Sequence, residues 1–135
     1  MKKYKKIILI VSVVLIVAMI VGYYFFPTSP LSSLSATDIN EIHLLVVPPE
    51  QKIILNQEQV IQVVELIQGI KVYQRGYTEN VTTGQVVNFT IIKADGEGIE
   101  LSCSGNTSIT INGITYRVDY TSAESLNAFA NKVLK

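Results

Sequence analysis

Residues 108–120 read SITINGITYRVDY, and the Asn112-Gly113 pair inside this stretch decides the fold class. Both residues tolerate the positive φ angles of a two-residue hairpin turn, and apolar side chains alternate on either side of them. Residues 108–111 and 114–120 are therefore expected as antiparallel strands, with Ile114, Tyr116, Val118 and Tyr120 sharing one face. Thr121 and Glu124 follow at capping-box spacing, and Leu126, Phe129, Ala130 and Val133 then recur along one helical stripe. A hairpin that runs straight into an amphipathic helix belongs to a mixed α+β domain.

The pattern continues toward the N-terminus. Asp95-Gly96 marks another tight turn. Before it, Val87, Phe89 and Ile91 occupy one face of a strand over residues 85–93. After it, Ile99, Leu101 and Cys103 alternate in the next strand. Residues 70–78 read as a further strand. Val60, Val63, Val64 and Ile67 repeat at helical spacing, with Asn56 and Gln59 as a capping box before them and Gly69 as the stop. Ile42, Leu44 and Val46 alternate through residues 39–47, which end at Pro48-Pro49, where ladder bonding must cease. Residues 52–55 return as the second arm of that hairpin. The order β-β-α-β-β-β-β-β-α predicts an α+β fold, a twisted antiparallel sheet with two helices packed on one face. A domain of about 100 residues buries a usable core without disulfides or metals.

Residues 7–26, IILIVSVVLIVAMIVGYYFF, differ in kind. Between Ile7 and Phe26 no side chain is charged and Ser12 is the only strongly polar one. A helix of this length rises about 30 Å, the thickness of a bilayer's hydrocarbon core. Lys2, Lys3, Lys5 and Lys6 crowd one end, and no basic residue recurs until Lys52. The positive-inside rule then places the N-terminus in the cytoplasm and the rest of the chain outside. Tyr23, Tyr24, Phe25 and Phe26 form an aromatic boundary suited to the headgroup region, and Pro27 stops the helix. A cleavable signal peptide has a shorter apolar core closely followed by small residues. Here Ser33-Leu34-Ser35, the one plausible cleavage site, lies well beyond the apolar run. No cysteine follows the run, which excludes a lipid-anchored lipoprotein. The expected organisation is a basic tail over residues 1–6, a transmembrane anchor over 7–26, an extended Ser-rich linker over 27–36 and an outer domain over 37–135.

Formal net charge is zero, but 7 basic residues face 11 acidic ones from Thr28 onward. A mildly acidic outer domain argues against nucleic-acid binding. Three stretches carry a resemblance: Ala36-Thr37-Asp38-Ile39-Asn40-Glu41-Ile42, Lys71-Val72-Tyr73, and Ile109-Thr110-Ile111-Asn112-Gly113-Ile114-Thr115-Tyr116. With them the chain resembles small uncharacterised extracytoplasmic domains held behind an N-terminal anchor in Gram-positive bacteria. The resemblance implies an envelope location and a fold. It assigns no activity and no catalytic residue.

Chemistry-bearing residues are sparse. His43 is the only histidine, too few for a His-rich metal site, and no serine or cysteine lies near it in sequence to suggest a triad. Gly96-Glu97-Gly98 lacks the third glycine of a dinucleotide loop. Asp95, Glu97 and Glu100 cluster at a turn without the spacing of a calcium loop, and read as a solvated hairpin tip. Cys103 is the lone cysteine and reads as a small buried hydrophobe. Asn80, Asn88 and Asn106 begin glycosylation acceptors in form only. The expectation is a non-enzymatic module with no catalytic, cofactor or metal residues.

The surface singled out for binding is Lys71, Tyr73, Arg75 and Tyr77. In a regular strand these four share a face that suits an anionic, glycan or envelope-protein partner. The competing readings are an ordinary solvent face, a carboxylate-only enzyme using Glu97 with Glu100 or Asp119 with Glu124, and a structural protein dimerising through Ala18 and Gly22.

If the anchor is retained, mass spectrometry of the membrane fraction will find peptides that run unbroken through Pro27 toward Lys52. A mature form beginning at Ala36 is the contrary result.

Overall fold

The computed structural model describes residues 1–77 and 84–135. Helix α1 (Lys2–Phe25) leads through a 3-10 turn at Ala36–Asp38 to strands β1 (Ile39–Val47) and β2 (Gln51–Ile54). Helix α2 (Gln57–Gln68) and strand β3 (Val72–Arg75) follow. Strands β4 (Val86–Lys93), β5 (Gly98–Ser104), β6 (Ser108–Ile111) and β7 (Ile114–Val118) then precede helix α3 (Tyr120–Val133). After α1 the order of strands and longer helices is the one expected from the sequence.

All seven strands join one antiparallel sheet in the order β2-β1-β4-β5-β6-β7-β3. Its two edges, β2 and β3, are consecutive in the chain and are linked by α2. Six strand spacings separate them, about 29 Å, of which a twelve-residue helix covers about 18 Å. The crossing helix buries Val60, Val63, Val64 and Ile67. These join Ala123, Leu126, Phe129 and Ala130 of α3 and the alternating strand residues Ile42, Leu44, Val46, Val87, Phe89, Ile91, Leu101, Cys103 and Ile109 in a single core. At its centre the rings of Phe89 and Phe129 lie 6.3 Å apart.

Local chemistry sets the element ends. The Asn56 side chain accepts from the Gln59 N–H at 2.9 Å, and the Gln59 side chain accepts from the Asn56 N–H at 2.9 Å, completing the capping box. Asn112 and Gly113 both take positive φ, 48° and 84°, in the β6–β7 turn. Asn112 also docks that turn onto β5. Its side-chain oxygen accepts from the Glu100 N–H at 2.9 Å while its own N–H donates to the Glu100 carbonyl at 2.9 Å.

Three expectations need correction. The strand expected over residues 70–78 stops at Arg75, because Gly76 turns the chain at φ +76° and its N–H donates to the Thr115 carbonyl. Thr78 lies outside the described residues. Helix α3 starts one residue before Thr121, with Asp119 in the extended cap position and its carboxylate accepting from the Ser122 hydroxyl at 2.6 Å. Tyr120 has therefore left the strand face and is exposed. Asp119 takes the N-cap position without a side-chain bond to the helix backbone, and Thr121 falls inside the first turn.

The third correction concerns residues 27–36, which are not an extended linker. Thr28 and Val72 exchange backbone hydrogen bonds in both directions, at 2.9 and 2.8 Å. Leu34 is buried, Leu31 packs against the core, and the Gln68 side-chain amide donates to the Leu34 carbonyl. Two leucines spaced by three among serines are enough to dock the segment.

Truncating a buried Phe costs about 3–5 kcal/mol and a buried Leu about 2–5 kcal/mol. Phe129→Ala and Leu34→Ala should each lower the denaturation midpoint of the full chain in detergent accordingly. A midpoint unmoved in Leu34→Ala would mean the segment is undocked.

Candidate functional site

Strand β3 is an edge strand, and the end of α1 lies beside it. Within Lys2–Phe25 every residue is exposed except Gly22, which is half-buried. Gly22, Tyr23 and Phe26 line a cavity of about 240 Å³ together with Thr28, Val72, Tyr73, Arg75 and Tyr116. One wall is the last turn of the apolar helix and the other is the β3–β7 edge. The Thr28–Val72 bridge fixes the separation between them.

The four residues singled out from the sequence do not form one alternating face. Val72 pairs with Val118 but Arg75 pairs with Tyr116, so three steps along β3 match two along β7. This bulge breaks the strict period of two along β3. Tyr73 and Arg75 both line the cavity. Lys71 is exposed just before β3, and Tyr77 is half-buried after Gly76; neither lines the cavity.

Two contributors were missed from the sequence. The Arg117 guanidinium lies 5.3 Å from the centroid of the Tyr73 ring, within cation–π range. Its neighbour Tyr116 forms part of the cavity wall. Both belong to β7, more than forty residues from Tyr73, and no local signal announces a pairing at that separation. Of the seven basic residues beyond Pro27, three (Lys71, Arg75 and Arg117) thus gather at one sheet edge. Among the described residues none of the three is in an ion pair.

The remaining candidates are dispersed. Glu97 pairs with Lys93 at 3.1 Å beside a second cavity of about 230 Å³, which Asp38 and Asn112 also line. The Glu97 carboxylate, with Asp95 adding to it, holds the Lys93 ammonium above the usual lysine range. Glu100 does not line that cavity; it accepts from the Thr90 hydroxyl at 3.1 Å on the adjoining strand. Asp95 accepts from the Glu97 N–H at 2.8 Å, as expected of a hairpin tip. Among the described residues no three metal-ligating side chains converge. The Asp119 carboxylate, at the N-cap position of α3, accepts from the Ser122 hydroxyl, and Glu124 is exposed on that helix. His43 is half-buried on β1 and contacts the Glu41 carboxylate at 2.9 Å. The Asn80 acceptor lies outside the described residues.

Comparison with protein-family models, curated proteins and solved structures gave no match to this chain.

Cys103 is buried in β5 opposite Val87 and Ile109, and burial pushes its thiol up to about 12. The thiolate is the reactive species, so folding suppresses reaction twice, by access and by ionisation. A maleimide at neutral pH should label the native chain slowly and the denatured chain fast. Rapid native labelling would contradict the burial of this strand.

Proposed function

We propose that the chain is a membrane-tethered binding or accessory module of the cell envelope. Its N-terminus lies in the cytoplasm and its α+β domain on the outer face of the plasma membrane. Helix α1 is long and apolar enough to cross a membrane. The four lysines at its start and the aromatic cluster at its end supply the direction. The resemblance to anchored extracytoplasmic domains of Gram-positive bacteria points the same way.

The observation that carries the binding role is a cluster at one sheet edge. Arg75, Tyr73 and Tyr116 line the cavity beside the end of α1, and Arg117 lies over the Tyr73 ring, in a domain that is otherwise acidic. Tyrosine offers ring area at small entropic cost, and arginine offers planar donors to carboxylate or phosphate. This edge is the surface proposed to hold an anionic partner. Gly22 faces that same edge, so the helix side on which it would meet a second anchor is turned toward its own domain.

Topology tests the tether. Cys103 is buried, so an introduced exposed cysteine is read against a quiet background. Glu50 is exposed in the β1–β2 turn and Lys3 in the basic tail. In intact cells an impermeant maleimide should label Glu50→Cys, and should label Lys3→Cys only after permeabilisation. The reverse pattern would overturn the orientation, and release of the chain by alkaline carbonate would overturn the anchor.

A further inference from the structure

We infer that the β3–β7 edge is a lipid-headgroup site, at which Arg75 and Arg117 engage the phosphates of anionic phospholipids in the bilayer that anchors the chain. The inference rests on the tether reading and names the partner of its basic edge.

Depth comes first. Gly22 and Phe26 are about 6 Å apart along the axis of α1, and the headgroup layer on one side of a bilayer is about 5–8 Å deep. Tyr23, Tyr24, Phe25 and Phe26 mark that layer on the helix. Tyr73, Arg75 and Tyr116 line one cavity with Gly22, Tyr23 and Phe26, so they sit at headgroup depth. Only Pro27 separates Phe26 from Thr28, and Thr28 is hydrogen-bonded to Val72 in both directions. The domain has no slack with which to lift this edge clear of the surface.

Charge comes second. Lys71, Arg75 and Arg117 concentrate here while the outer domain as a whole carries an acidic excess. Among the described residues, Asp119 follows directly on Val118, the β7 partner of Val72, and its carboxylate already accepts from the Ser122 hydroxyl. Arg117 rests over the Tyr73 ring, a platform that holds a guanidinium without removing its hydrogen-bond donors. Tyr73 and Tyr116 add rings of the kind that favour the membrane–water boundary. The aromatic belt thus extends from the helix onto the sheet. A soluble partner would have to compete with the bilayer for this edge, and the covalent tether favours the bilayer.

The test uses the full chain in nanodiscs of phosphatidylglycerol and, separately, of phosphatidylcholine, with amide hydrogen exchange followed over β3 and β7. Attraction of about 1 kcal/mol per basic residue near an anionic surface corresponds to about five-fold slower exchange for each arginine engaged. Slower exchange in phosphatidylglycerol is expected for the native chain. It should be lost in the Arg75→Gln/Arg117→Gln variant, kept in Arg75→Lys/Arg117→Lys, and weakened by high salt. Equal exchange in the two lipids, or a lipid effect untouched by the glutamine pair, would overturn the inference while leaving the tether standing. Equivalent protection in phosphatidylcholine discs from added glycerol phosphate would also overturn it, because the site would then be one for a soluble phosphate. Failure of the chain to remain with the discs would remove the tether itself, and this inference with it.

Discussion

A sheet with one apolar face must have that face covered, and the covering helix here must also carry the chain from one edge of the sheet to the other. That double requirement on α2 places the rest of the molecule. Because β2 and β3 are consecutive in the chain yet lie at opposite edges, the helix between them has to cross the whole core. Its inward stripe of three valines and an isoleucine meets the strand residues of the central sheet. β-branched residues are ordinary helix formers at best, so the helix depends on the capping box at Asn56 and on burial, not on propensity. The crossing also delivers β3 to the side of the sheet where α1 enters, and no other strand could receive it there.

The two sheet edges are protected by different means. An open edge offers unpaired N–H and C=O groups to any passing chain. At β3 the segment after α1 supplies the missing partner, since Thr28 closes both backbone bonds of Val72. At β2 the strand is only four residues long, follows two prolines and carries Lys52. The β3 device has a second effect. It converts the connection between α1 and the domain from a leash into a joint.

Elements built from neighbouring residues were legible in the sequence. Asn112-Gly113, Asp95-Gly96 and the Asn56–Gln59 box act within four residues of themselves, and each sits where its chemistry requires. The core stripes were legible for the same reason, because period and burial are local properties of a strand or helix. What was hidden is what depends on pairing at long range. The bulge between Val72 and Arg75 arises from the register of β3 against β7, which no residue in β3 alone specifies. Arg117 acquired its place over Tyr73 by the same pairing. The docking of residues 27–36 was obscured by serine and proline, whose composition describes a linker unless Leu31 and Leu34 are weighed as anchors. The start of α3 moved from Thr121 to Tyr120 because β7 ends at Val118 and leaves Asp119 as the extended residue before the helix.

The joint at Thr28 also has a mechanical consequence. In a bilayer, the match between a helix's apolar length and the hydrocarbon thickness sets its tilt. With only Phe26 and Pro27 between the end of α1 and the backbone bridge to β3, tilt would be carried into the sheet with little slack to absorb it. The sheet then acts as a lever arm. Its far edge lies about 29 Å from the pivot, so a change of about 10° in tilt would displace β2 by about 5 Å. The thickness of the membrane would thereby be written into the position of a surface that never touches it.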